Sequence, residues 1–248
     1  MSLSVILITR NEEANIGACL ESVAFADEII VVDSGSTDAT VEIAKKHGAR
    51  TVTTADWPGF GAQKQRALDL ATSDWVLSID ADERATPELA EAICKVITGP
   101  KPAFDAYEFS RRNWYCGRFL DHSGASPDYI VRLFRRGTAR FSDHLVHERI
   151  MPTGKVGRLD GKLLHYSFLD FSEVIGKIDS YSTASAKQAL AAGKTASVGK
   201  AIRHASWMFF RVYVLKLGFL DGAQGLAKSI SAAQGTYYRY LKIWFARL

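Results

Sequence analysis

Residues 2–9 (SLSVILIT) form an unbroken apolar run that stops abruptly at Arg10-Asn11-Glu12-Glu13. A run of this length without alternation is the pattern of a strand buried on both faces, as in a parallel sheet. Residues 11–24 then repeat Ile16, Leu20 and Val23 at helical spacing, with early glutamates where the helix dipole favours them. The alternation continues. Residues 28–33 (EIIVVD) read as a second buried strand, and 39–48 as a helix closed by a glycine. Residues 50–54 read as a short strand, 62–71 as a helix, and 75–79 as a strand that runs into Asp80. Thr86-Pro87-Glu88 opens a fourth helix with proline near its first position. Strand and helix alternating in this way predict an α/β fold, a mostly parallel sheet with helices on both faces.

From Ala103 the texture changes. Residues 106–110 and 130–134 read as strands, with an irregular segment (111–127) between them, and 141–150 carries His144, His147 and Glu148. Beyond His165 the chain turns helical, with helix-length stretches at 172–192, 198–217 and 222–246. This predicts two regions, a sheet domain over 1–165 and a helical extension over 166–248.

Charge follows the same division. Through His165 there are 20 Lys+Arg against 23 Asp+Glu; from Tyr166 onward there are 11 against 4. The second region mixes these bases with Trp207, Phe210, Tyr213, Tyr240 and Trp244, a composition that suits an anionic membrane surface, packing against the sheet domain or a homodimer contact. The chain is 47% hydrophobic and 23% charged, values of a globular protein, and no charge-free stretch reaches 18 residues. The apolar N-terminus lacks a basic flank and a cleavage site, so it reads as a strand, not a signal peptide. Three cysteines, with no CxxC pair, fit a reducing cytoplasm and speak against a cysteine metal site.

In an open α/β sheet, ligands bind beyond the carboxyl ends of the strands. The polar residues just past three predicted strands therefore converge: Thr9, Arg10, Asn11 and Glu12; Asp33, Ser34, Gly35 and Ser36; Asp80, Ala81, Asp82 and Glu83. Two carboxylates two residues apart can address one Mg2+ or Mn2+ and bridge it to a diphosphate. Isolated, such a pair also serves as an acidic helix start; its place at a strand end in an alternating chain favours the metal. Asp33 can accept from a nucleoside NH or hydroxyl, or cap the following helix.

These segments carry a resemblance. Val5-Ile-Leu-Ile-Thr-Arg-Asn-Glu-Glu13, Ile29-Ile-Val-Val-Asp-Ser-Gly-Ser-Thr-Asp38 and Leu77-Ser-Ile-Asp-Ala-Asp-Glu83 resemble, in order and spacing, the family 2 inverting glycosyltransferases of GT-A fold. The resemblance implies a UDP-sugar donor, with Thr9, Asn11, Glu12 and Asp33 on the nucleoside and Asp80 and Asp82 on ribose, diphosphate and metal. Lys64 and Arg66 resemble the family's donor-site basic positions. Arg132-Leu-Phe-Arg135-Arg136, Val146-His-Glu148, Leu164-His165 and Gly218-Phe-Leu-Asp-Gly222 resemble a bacterial subgroup that includes lipopolysaccharide inner-core glucosyltransferases. That likeness implies glucose from UDP-glucose and a lipid-anchored heptose acceptor at the cytoplasmic face of the inner membrane.

Inverting transfer needs a base for the acceptor hydroxyl. Glu148 is the expected base and His147 its competitor. His165 is a candidate third metal ligand. Arg132, Arg135 and Arg136 form a basic cluster whose members are candidates for the donor diphosphate and an anionic acceptor, or guards of an edge strand. Two other classes fit the residues less well. A sugar-nucleotide pyrophosphorylase would want an early glycine-rich loop where this chain has Thr-Arg-Asn-Glu-Glu. A basic nucleic-acid module would leave the sheet-edge carboxylates unexplained, so nucleic acid is not an expected partner.

Overall fold

The computed structural model describes residues 1–99, 102–142 and 149–247. Its contacts divide the chain into two units, Met1–Arg111 with Asp128–His165, and Arg112–Pro127 with Tyr166–Leu248.

The first unit begins with β1 (Leu3–Thr9), α1 (Ile16–Ser22), β2 (Glu28–Asp33), α2 (Thr40–Lys46), β3 (Arg50–Thr53), α3 (Phe60–Asp69) and β4 (Trp75–Ser78). Strands β3, β2, β1 and β4 lie side by side and parallel. The apolar runs become buried strands because both sheet faces are covered. Leu3, Val5 and Leu7 of β1 join Ile16 and Leu20 of α1 in one core, and Ile6 joins Ala67 and Leu68 of α3 in the other. The expected α/β architecture, with helices on both faces, is present.

Past β4 the sheet becomes antiparallel. The chain continues through β5 (Glu83–Ala85), α4 (Pro87–Thr98), β6 (Ala106–Tyr115), β7 (Arg118–Phe119), β8 (Asp128–Arg135), β9 (Ala139–Phe141), β10 (Ile150–Pro152) and β11 (Val156–Phe168), with β9 and β10 paired as a separate two-stranded sheet. The sheet order is β3-β2-β1-β4-β8-β6-β11-β5, with β8 antiparallel to β4 and β5 antiparallel to β11. The sequence reading has no counterpart for β5. Three residues are too few to show a period, and the strand exists because β11 offers it a partner.

The helix read over 11–24 starts a turn late, at Ile16. Asn11 adopts φ +55°, its Oδ1 accepts the Thr37 N–H at 2.8 Å, and the Glu12 N–H donates to Thr40 Oγ1 at 2.8 Å. Side-chain bonds to the turn after β2 thus outcompete the first helical turn. The segment read as irregular over 111–127 holds the end of β6 and all of β7.

The second unit contains α5 (Phe171–Ala191), α6 (Val198–Phe210) and α7 (Gly222–Phe245). Asp170 and Ser197 cap the first two helices. Instead of running straight to Leu217, α6 passes into a π turn (Arg211–Leu215) and then a 3-10 turn (Gly218–Asp221). The turn packs against α7 so closely that a Cβ on Gly225 would lie 1.9 Å from the Gly218 carbonyl oxygen. Asp221, almost fully buried, accepts the Asp121 and His122 N–H groups and the Ser123 hydroxyl.

Candidate active site

Parallel pairing aligns the strand ends. Thr9 pairs with Asp33 across β1 and β2, and Ile6 with Ser78 across β1 and β4. Asp80 lies two residues beyond Ser78, so the three polar clusters meet at one edge within adjacent strand spacings.

Asp33 is buried and shapes the turn after β2. Its Oδ2 accepts the Gly35 and Ser36 N–H groups, each at 3.0 Å, and its Oδ1 accepts the Ser36 hydroxyl. It does not cap α2, whose start has no side-chain cap. Beside it, the Thr9 hydroxyl is buried with no hydrogen-bond partner among the described residues. A buried hydroxyl without a partner costs stability and marks a place for a ligand or water. Ser34 Oγ accepts from Gln63 Nε2 at 3.0 Å, and the same amide donates to Thr54 Oγ1 at 2.7 Å.

Asp80 is the centre of an ionic cluster. Lys64 Nζ lies 2.7 Å from its Oδ1, and Arg132 Nη2 donates to its Oδ2 at 2.7 Å. Arg132 also donates to Glu83 Oε1 at 3.0 Å, and Glu83 Oε2 accepts the Asp80 backbone N–H at 2.9 Å. Arg111 pairs with Glu83 at 3.3 Å and with Asp128 at 2.8 Å. The side chains of Lys64 and Arg132 are 5% and 9% exposed, so water does little to screen these pairs. Burial by itself pushes the Asp80 carboxyl up. The charges of Arg132 and Lys64, with their hydrogen bonds, outweigh it and hold the group well below the usual carboxylate range. Glu12 behaves oppositely. Burial raises its carboxyl, the Asn15 hydrogen bond offsets only part of the rise, and Asp82, Asp38 and Asp80 add to it.

His165 reaches the cluster through register. It pairs with Glu83 across β11 and β5, which sets its Nε2 3.2 Å from Asp82 Oδ2. A carboxylate oxygen and an imidazole nitrogen at this separation can be two adjacent ligands of one divalent cation, the imidazole suiting Mn2+ better than the oxygen-seeking Mg2+. No group of three His, Cys, Asp or Glu poised for a metal occurs among the described residues. Asp82 and His165 can supply two ligands, and a cation there would need its remaining ligands from outside this pair.

The remaining expected residues divide. Ala81 is buried between the two aspartates. Arg66 forms a two-bond pair with Asp56, at 2.7 and 2.9 Å, and also donates to Gln63. Asn11 is spent on the turn after β2. Arg135 is not brought to this edge. Because β8 runs antiparallel to β4, Arg135 pairs with Trp75, at the opposite end of β4, and its guanidinium lies over the Trp75 ring. His144, His147 and Glu148 lie outside the described residues.

Two contributors do not stand out as site residues in the sequence, Gln63 and Arg111, whereas Glu83 belongs to the polar cluster read past β4. Gln63 carries a usable signal, since it and Lys64 fall with Gly61, Ala67 and Leu68 on the buried stripe of α3. A polar pair on such a stripe needs partners at the sheet edge.

The family model "Glycosyl transferase family 2" matches residues 4–152, a span that holds this edge from Thr9 through Arg132. The chain belongs to glycosyl transferase family 2. It is a glycosyltransferase, and the pyrophosphorylase and nucleic-acid readings fall away. Its relatives include the lipopolysaccharide core biosynthesis glycosyltransferase LpsC of Rhizobium meliloti (strain 1021), 34% identical over 97% of this chain and 90% of that protein. The uncharacterized glycosyltransferase RP128 of Rickettsia prowazekii is 31% identical over 97% of this chain and 86% of its own. Among solved structures, residues 1–349 of S. aureus TarS superpose with TM-score 0.51 at 15% identity, over 100% of this chain and 92% of that one. The TarS complex with UDP-GlcNAc superposes with TM-score 0.50 at 20% identity, over 68% of this chain and 58% of that one. These likenesses share the GT-A-like fold of the enzyme.

Proposed function

We propose that the enzyme moves a hexose from a UDP-sugar, with inversion, to a saccharide of the lipopolysaccharide core, the donor being UDP-glucose. The observation that carries the donor reading is the unpartnered, buried Thr9 hydroxyl beside Asp33, one strand from the Asp80–Lys64–Arg132 cluster. A nucleoside diphosphate presents hydroxyl and NH groups to the first pair and anionic oxygens to the second. The acceptor reading rests on the likeness to LpsC along nearly the whole chain.

Asp82 and His165 would hold a divalent cation, Mg2+ or Mn2+, which when bound would supply positive charge to offset the negative charge of the leaving diphosphate. Lys64 and Arg132 set two further positive charges at the place where that negative charge develops, and their near-complete burial strengthens the effect. The acceptor oxygen attacks C1 of the hexose from the face opposite UDP. Its bond to C1 forms as the bond from C1 to the diphosphate oxygen breaks, and Glu148, in competition with His147, takes the hydroxyl proton.

A panel of UDP-glucose, UDP-galactose and UDP-N-acetylglucosamine, monitored by thermal shift and by transfer to core saccharide with and without Mn2+, tests the reading. Stabilisation and transfer with UDP-glucose are expected. Failure of every UDP-sugar to raise the melting temperature overturns it.

A further inference from the structure

The second unit carries an exposed apolar corner that neither donor nor metal chemistry uses. On α6, Arg203, Trp207 and Phe210 recur at helical spacing on the solvent side, and the Trp207 and Phe210 rings pack together with centroids 5.8 Å apart. The π turn then shifts the helix phase, and the chain turns a corner that exposes more apolar side chains. Trp207 is 54% exposed, Leu215 56% and Leu220 53%. Leu217, at the corner itself, is also exposed and holds φ +55°. That backbone conformation favours glycine or asparagine, and a leucine there costs on the order of 1 kcal/mol. Leu217 is 44% exposed, so the fold covers only part of this strained leucine.

The charge around this corner has one sign. From Tyr181 to the end, the chain carries ten Lys and Arg and a single carboxylate side chain, Asp221. That carboxylate is 1% exposed and consumed by the Asp121, His122 and Ser123 donors. The surface of this segment thus offers bases and apolar side chains with no acid among them. A second copy of the same corner would bring like charges together. Nucleic acid would leave the leucines unmatched. An anionic lipid surface satisfies both, with headgroups for Arg203, Arg211 and Lys216 and the acyl boundary for the apolar tips. No helix among the described residues is long and apolar enough to cross a membrane, so the contact is interfacial.

We propose that the corner formed by the end of α6 and the turns after it, with Trp207, Phe210, Leu215, Leu217 and Leu220 at its tip, docks the enzyme on an anionic phospholipid surface. The proposal deepens the reading of a lipid-anchored acceptor, because docking would confine the enzyme to the plane that holds it.

The test is co-sedimentation of the full chain with vesicles of phosphatidylcholine alone or with added phosphatidylglycerol. Binding is expected only with the anionic lipid, with blue-shifted tryptophan emission that brominated lipid quenches. Leu215→Ser combined with Leu220→Ser is expected to weaken binding about tenfold or more, while UDP-sugar stabilisation and transfer to a detergent-free, delipidated acceptor stay at wild-type level. Equal binding to neutral vesicles, no binding to either, or dimerisation lost in the double variant without a change in vesicle binding overturns the docking surface. RNA binding in place of vesicle binding also overturns it. Absence of UDP-sugar stabilisation in wild type overturns the donor reading instead, so the two failures are distinct.

Discussion

At the scale of single residues, the two aspartates of the Asp80-Ala81-Asp82 motif are held in different ways. Asp80 is locked between Lys64 and Arg132, whereas Asp82 faces His165. Asp82→Ala is therefore expected to leave the fold intact by circular dichroism and to abolish the extra thermal stabilisation that Mn2+ adds to UDP. An unchanged Mn2+ increment would refute the assignment of Asp82 to the metal. Asp80→Asn is expected to destabilise the protein at pH 7 by about 3 kcal/mol, since it leaves two nearly buried cations short of a partner. The sign of its pH dependence comes from the depressed carboxyl. The Asp80 contribution is complete above the ordinary value of 3.8 and declines as pH falls from there through the lower folded-state value. Urea titrations of wild type and variant are thus expected to differ by a constant amount from neutral pH down to about pH 4 and to converge below it. For the base, Glu148→Gln is expected to cut turnover by about 100-fold or more while UDP binding persists. If His147→Ala alone removes turnover, the two roles exchange. Glu12, whose carboxyl is raised by burial among other acids, costs the ligand-free protein stability at neutral pH, a burden that uridine or a cation at the edge would relieve.

At the scale of elements, the decisive piece is β5, three residues long. It converts the segment after the motif from a plain turn into a strand on β11, and so brings His165 within reach of Asp82 across more than eighty residues of chain. The pairing depends on how β11 meets α4. Gly161 has φ +94°, and a Cβ there would lie 2.4 Å from the Leu89 backbone nitrogen. Thr86, the cap of α4, accepts the Lys162 N–H, and its own N–H donates to the Lys162 carbonyl. Gly161→Ala is expected to cost about 2 kcal/mol or more, from strain and from the clash with Leu89. In a chain of this size that lowers the melting temperature by about 4–8 °C. Because His165 lies four residues further along the same strand, Mn2+-dependent stabilisation by UDP is expected to weaken as well. An alanine variant with wild-type stability would show that β11 does not need this close approach.

At the scale of the whole molecule, charge is partitioned along the chain. The candidate site residues lie in the part that is net negative, and the part from Tyr166 onward, net +7, carries the exposed apolar corner. Salt is expected to separate the two functions. Vesicle binding through exposed bases falls steeply between low and high ionic strength, because the Debye length shrinks from about 10 Å at 0.1 M to about 3 Å at 1 M. UDP stabilisation, proposed to draw on Lys64 and Arg132, whose side chains are less than a tenth exposed, is expected to change less. Parallel sedimentation and thermal-shift series over one salt range check this, and a common salt dependence would contradict the separation.

The sequence alone determined the parallel half of the sheet, the order of its helices and the three polar clusters past its strands. These are local properties. Unbroken apolar runs specify strands buried on both faces, and the residues just past a parallel strand lie at the carboxyl edge of the sheet. Tertiary structure alone decided which charges meet. Arg132 and Arg135 are three residues apart in one basic cluster, yet antiparallel pairing with β4 sends the first to Asp80 and the second to the far end at Trp75. The ion pairs of Arg111 with Glu83 and Asp128 have the same cause, since register between strands distant in the chain leaves no periodic trace in any one of them. The Asp82–His165 pair is the clearest case: each residue was legible as a candidate, and only the β5–β11 register set the 3.2 Å between them.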